Sequence, residues 1–300
     1  MKRALTLLLT LVLALSLAAC GGSKDSTPAA PDSAPAPESA PAAPEDAEAP
    51  PEDLELIVFA AASMQETLTE IGENYHQAHP NVSLVFSFDS SGTLKTQIQE
   101  GADCDIFISA GQKQMDQLDA AAGADVNTEG LDFVQAGTRF DLLENKVALA
   151  VPEGNPKGID SYDGLKAALE SGDVLLAMGN GDVPVGQYTQ RIFAFWGLDE
   201  EAISGSGCIT YGSNVKEVTT QVSEGAVDCG IIYATDAFSA GLTVVDTATA
   251  EMCGQVIYPA AVLNISQNPA EAQAFLDYIR SPDGAAVLES VGFTTLSIRN

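Results

Sequence analysis

From residue 54 onward, short runs of β-branched and aromatic residues alternate with stretches of helical periodicity. No other feature narrows the possible folds as much. Leu54–Ala60 (LELIVFA) reads as a buried strand, and Met64, Leu68, Ile71 and Tyr75 follow as an apolar stripe at helical spacing. Val82–Phe88, Ile106–Ser109, Val174–Ala177, Cys208–Tyr211 and Cys229–Tyr233 read as further strands, separated by the helical stripes Leu94/Ile98, Met115/Leu118/Ala122, Ile192/Phe195/Trp196 and Val215/Val218/Val222. Such alternation predicts an α/β chain of mostly parallel sheets with helices on both faces. A ten-residue echo, Gly101–Ala110 against Gly225–Ala234, suggests that the arrangement occurs twice. The expected division is 54–151 plus 258–300 for one lobe and 152–257 for the other. Val147–Val151 and Val256–Leu263 would be the hinge strands, and helices near Phe275–Ile279 and Ala285–Leu288 would return to the first lobe.

The N-terminal stretch has a different character. Lys2 and Arg3 precede an apolar run from Ala4 to Ala19, the size of a secretory signal core, so residues 1–19 read as a signal peptide. Leu17-Ala18-Ala19-Cys20 resembles the lipobox of bacterial lipoproteins, in which Cys20 would carry the lipid. Eight of the 15 prolines fall within residues 21–53, together with Ala, Ser and acids. That composition cannot build a core, so 20–53 reads as an extended tether on an exported protein held at the outer face of the cell membrane.

Charge excludes several functions. Against 13 Lys+Arg stand 42 Asp+Glu, a formal net charge of −29. Sequence-independent nucleic-acid binding needs clustered cations and is excluded. Residues 54–300 still hold 34 acids against ten bases, so an anion site there must work against the overall field. Of the cysteines after Cys20, Cys104 and Cys229 sit in apolar runs and read as small buried hydrophobes; Cys208–Cys253 is a conceivable bridge, although spacing does not choose among pairings. His76 and His79 form an HxxH pair without a companion cluster, and there is neither a GxSxG elbow nor a GxxxxGK[ST] loop. No catalytic residue, resident metal or cofactor is expected.

Ligands of open α/β sheets lie beyond the carboxyl ends of strands, where helices begin. The strand-to-helix turns read Ala60-Ala61-Ala62-Ser63, Asp89-Ser90-Ser91-Gly92, Val183-Pro184-Val185-Gly186 and Gly212-Ser213-Asn214-Val215. None carries Lys or Arg. A helix N-terminus acts as roughly +0.5 charge, so four together supply about +2, enough for a dianion. Singly, these turns also read as caps: Ser63 with Glu66, and Asn214 with Glu217, have capping-box spacing.

Those turns, with Gly101–Ala110, Gly230-Ile231-Ile232-Tyr233-Ala234-Thr235-Asp236-Ala237, Tyr258-Pro259 and Gly292-Phe293-Thr294, resemble the molybdate-binding proteins of ABC importers, in collinear order from about residue 54 to the C-terminus. The resemblance implies a two-lobed periplasmic-binding-protein fold of type II character that closes on molybdate or tungstate and serves, as a monomer, an ABC permease. By position, it implies hydroxyl and N–H donors from Ser63 and Ser91, backbone N–H donors from Val185 and Val215, and the phenol of Tyr233. Val185 stands where the family usually has Ala. Asp89 stands where a small residue is common, and a carboxylate there would repel a dianion unless it points away. The alternatives are a site for another tetrahedral oxyanion, such as sulfate, or an exported enzyme on the same fold.

Overall fold

The computed structural model describes residues 53–296. The signal segment, Cys20 and the tether as far as residue 52 lie outside the described residues. Eleven strands form two sheets. The first takes β1 (Leu54–Ala61), β2 (Val82–Asp89), β3 (Ile106–Ile108) and β4 (Phe140–Asn145); the chain then enters the second with β5 (Val147–Val151), β6 (Leu176–Gly179), β7 (Ile209–Gly212), β8 (Cys229–Tyr233) and β9 (Thr243–Thr247). It returns through β10 (Val256–Val262) and β11 (Thr294–Thr295). The spatial orders are β11-β4-β10-β3-β1-β2 and β7-β6-β8-β5-β9. We call each sheet with its helices a lobe.

The helices are α1 (Gln65–Ala78), α2 (Ser91–Gln99), α3 (Gln112–Asp116), α4 (Tyr162–Ser171), α5 (Pro184–Trp196), α6 (Glu200–Gly205), α7 (Val215–Ser223), α8 (Ala234–Ser239), α9 (Ala250–Cys253), α10 (Pro269–Ile279) and α11 (Pro282–Ser290). A single 3₁₀ turn, Ala62–Met64, joins β1 to α1. Beneath α2 and α3, Leu94, Ile98 and Met115 pack on Phe59 and Phe107 from one face of the first sheet, while α1, α10 and α11 pack together over the other. Burial on both sides explains why β8, and β1 from Leu56 onward, read as apolar runs.

Both sheets are mixed rather than mostly parallel. β1–β2, β1–β3, β6–β7 and β6–β8 run parallel, whereas β10 runs antiparallel to β3 and β4, and β5 antiparallel to β8 and β9. The expected lobe boundaries also move. Val147–Val151, placed by the sequence at the end of the first lobe, pairs with β8 and β9 of the second. The chain crosses at Lys146 and returns at Gly254–Gln255. β10 then starts two residues before the expected return at 258.

The internal echo has a structural counterpart. Helices α2 and α7 each end just before a glycine with positive φ, Gly101 (93°) and Gly225 (66°). Just ahead of β3, Asp105 Oδ2 accepts from the Ile57 N–H at 2.7 Å; just ahead of β8, Asp228 Oδ2 accepts from the Leu175 N–H at 2.8 Å. Cys104, Cys208, Cys229 and Cys253 are all buried and free, so the conceivable Cys208–Cys253 bridge is absent. Burial pushes the Cys104 and Cys229 thiols up to about 12, as expected of inert core cysteines.

Candidate functional site

A small cavity lies where the lobes meet. Ala61, Ala62, Ser63, Asp89, Ser90, Ser91 and Ala110 line it from the first lobe, and Val183, Pro184, Val185, Val215 and Tyr233 from the second. All five residues expected to hold a ligand are therefore brought together, and no Lys or Arg is among the lining residues. The cavity is small, about 10 Å³ open to the centre of a water-sized sphere, which suits only a ligand of a few atoms.

Each N–H donor comes from a helix start. The first N–H groups of a helix have no intrahelical acceptor. At α5, Pro184 fills the first position, where its missing N–H costs nothing, and the first backbone bond closed is Gln187 N–H to Val183 O; Val185 N–H is left free of the ladder. At α7, Asn214 is the cap, accepting from Glu217 N–H at 3.1 Å, while Glu217 accepts in return from Ser213 N–H at 2.6 Å. That box satisfies its neighbours and leaves Val215 N–H free. The turn into α5 depends on Gly186, because a side chain there would collide with the carbonyl oxygens of Gly179 and Asn180.

The two serines of the second turn divide their work. Ser90 caps α2: its hydroxyl accepts from Thr93 N–H at 3.1 Å and shares a 2.9 Å bond with Thr93 Oγ1. Ser91 is fully buried, and its Oγ accepts from Ala110 N–H at 2.9 Å, leaving its own proton to donate into the cavity. Ser63 is not the cap that its spacing with Glu66 suggested. No side-chain cap bond forms at that helix start, and Glu66 turns instead to Lys216.

The Ser63 hydroxyl lies 2.9 Å from the Tyr258 hydroxyl, which also receives Asn145 Nδ2 at 3.2 Å. Asn145 is fixed in that orientation, since its Oδ1 accepts from Lys146 N–H and its Nδ2 also donates to Thr235 Oγ1. An amide nitrogen can only donate, so Tyr258 accepts from Asn145 and shares with Ser63 a hydroxyl–hydroxyl bond in which either can donate. In the sequence Tyr258 stands out only within the Tyr258-Pro259 motif, and Asn145 carries no signal of its own.

Tyr233 Oη is fully buried and has no hydrogen-bond partner. Such a group costs about 1–3 kcal/mol unless a ligand satisfies it. Burial holds its pKa well above 10, so it is a permanent donor. Asp89 does not confront the cavity with a bare charge: Oδ1 accepts from Ser90 N–H at 2.7 Å and from Asn214 Nδ2 at 3.2 Å. His76 and His79 are remote from the site, His76 on the Val82 carbonyl at 2.8 Å and His79 stacked on Tyr75.

Residues 56–294 match the family model for bacterial extracellular solute-binding proteins. The molybdate-binding protein ModA of Mycobacterium bovis is 30% identical over 288 residues, 95% of each chain. ModA of Escherichia coli is 32% identical over 245 residues, 80% of this chain and 89% of that protein. Among solved structures, the periplasmic molybdate-binding protein of Azotobacter vinelandii superposes with a TM-score of 0.67 at 21% identity, covering 81% of this chain and all (100%) of that one, a likeness of fold. By their names these relatives bind molybdate. The chain belongs to the bacterial extracellular solute-binding proteins, with the molybdate-binding ModA proteins among its relatives.

Proposed function

We propose that this chain captures molybdate, and tungstate as well, between its lobes and delivers it to an ABC permease while held at the membrane by a lipid on Cys20. The observation that carries the reading is a cation-free cavity ringed by helix N-termini, with the buried Tyr233 hydroxyl unpartnered in its wall. In this reading Ser63 and Ser91 give hydroxyl protons, Val185 and Val215 give N–H groups, and Tyr233 gives its phenol proton.

A fully deprotonated tetrahedral oxyanion consists only of acceptors and matches a wall of donors. Phosphate at neutral pH keeps a proton, and its O–H would need an acceptor. Leaving that group unpaired costs about 1–3 kcal/mol. Discrimination against sulfate rests on size, because sulfate is smaller and reaches fewer donors at once. The helix dipoles supply the counter-charge without a side chain, each contributing up to about 2 kcal/mol in a buried setting. The anchor is inferred from the Leu17-Ala18-Ala19-Cys20 sequence and the proline-rich stretch behind it.

Titration calorimetry with molybdate, tungstate, sulfate and phosphate tests the assignment. Tight binding of the first two with weak binding of the others is expected. Sulfate binding as tightly as molybdate would replace this reading with a general oxyanion carrier. Labelling of full-length protein with a radioactive fatty acid, abolished by Cys20→Ala, tests the anchor.

A further inference from the structure

Across the cleft, the residues on either side of Val215 both grip the opposite lobe. Asn214 Nδ2 reaches Asp89 Oδ1 at 3.2 Å. Lys216 Nζ lies 2.8 Å from each carboxylate oxygen of Glu66. Neither arm is left to chance. Glu217 N–H holds Asn214 Oδ1 at 3.1 Å, which turns the amide nitrogen toward Asp89. Asp236, fully buried beneath α7, holds Lys216 Nζ at 3.1 Å from its own lobe. Burial works against the Lys216 charge, but Asp236 and Glu66 outweigh it and keep its pKa above the ordinary lysine value.

We propose that Asn214 and Lys216, with Asp89 and Glu66, form a clasp that closes the lobes over the bound anion and sets how slowly it leaves. The inference rests on the ligand reading above. α7 thus does two things in one turn: the Val215 main chain holds the anion, and its two neighbours hold the other lobe. Because the four partners belong to different sheets joined only at Lys146 and Gly254–Gln255, separating the lobes breaks both contacts without unfolding either lobe. The clasp also gives Asp89 a purpose. Its Oδ1 takes two donors, one of them from the opposite lobe, so the carboxylate contributes to closure.

The variants are Asn214→Ser, which keeps a cap oxygen for α7 but is too short to reach Asp89, and Glu66→Gln, which removes the partner charge from an exposed side chain. The Lys216–Asp236 pair survives in both. Each should speed release of radiolabelled molybdate after dilution by about two- to five-fold, the range of an exposed pair, and the double variant more than either. Thermal unfolding of the ligand-free protein should be unchanged. Salt should accelerate release from the wild type more than from Glu66→Gln, because only the wild type has the ion pair to screen. Wild-type release rates in both variants, or a loss of free-protein stability matching the loss of affinity, would overturn the clasp. If the wild type fails to bind molybdate in the same titration, the ligand reading falls and the clasp with it.

Discussion

Gly92→Ala separates the closed state from the fold that carries it. Gly92 is the second residue of α2, and a Cβ added there would run into the Asp182 carbonyl oxygen of the other lobe, with the Asp182 carbonyl carbon at 3.0 Å and its Cβ at 3.2 Å. Ordinary contacts begin at 3.4 Å, and backbone cannot swing aside like a flexible side chain. The lobes must part by roughly 1 Å, enough to carry hydrogen bonds of about 2.9 Å beyond useful length. If two charge-assisted bonds to the anion are lost, at about 1.5–3 kcal/mol each, affinity falls by about 10²- to 10⁴-fold. The open form gains instead, since Ala is better than Gly in a helix by up to about 1 kcal/mol, worth about 2–4 °C in a protein of this size. Calorimetric titration and a melting curve on one preparation check both halves. Affinity within threefold of wild type, or a lower ligand-free melting temperature, would refute the reasoning.

Ser91→Ala and Ser63→Ala should each weaken molybdate binding by about 1–3 kcal/mol, measured by titration, whereas Ser90→Ala should chiefly lower stability by about 1 kcal/mol through loss of the α2 cap. Tyr233→Phe should cost a similar amount of affinity yet leave the free protein at least as stable in urea, because the hydroxyl it deletes has no partner. Asp236 gives a pH signature. Burial raises its pKa from 3.8 to about 6, Lys216 opposing, so between those values the folded protein binds a proton that the unfolded chain does not. Its contribution to stability therefore grows as pH falls from about 6 to 4 and is lost as pH rises through 6, by about 3 kcal/mol over the window. Urea unfolding of the wild type against Asp236→Asn across pH 4–7 reads that difference, and parallel curves would contradict it.

The turns that line the cavity were legible in the sequence because their chemistry is local. A small or hydroxyl residue between an apolar run and a helical stripe marks a helix start, and helix starts at one end of a parallel pair face the same way. Ser63, Ser91, Val185, Val215 and Tyr233 could be named on that basis together with the family resemblance. What joins the lobes was not legible. Asn214 meets Asp89 across 125 positions of sequence and Lys216 meets Glu66 across 150. No local pattern encodes such pairs, and the same spacing that makes Ser63 and Glu66 look like a capping box disguised Glu66 as a local partner. β4 escaped notice because Phe140–Asn145 (FDLLEN) carries acids on a half-exposed strand, and the mixed sheets followed from strands such as β5 and β10 that return the chain between lobes.

Under the proposed function Val185 and Val215 would give the anion only their main-chain N–H, so alanine at these buried positions would report core packing and not the pocket. A proline would not be silent at Val215. Asn214 is already extended (φ −151°, ψ 173°), the conformation that a following proline demands, and the first position of a helix accepts that ring without breaking the coil. The exchange would delete one main-chain proton while α7 stays in place, making proline, not alanine, the informative substitution where the donor belongs to a peptide bond.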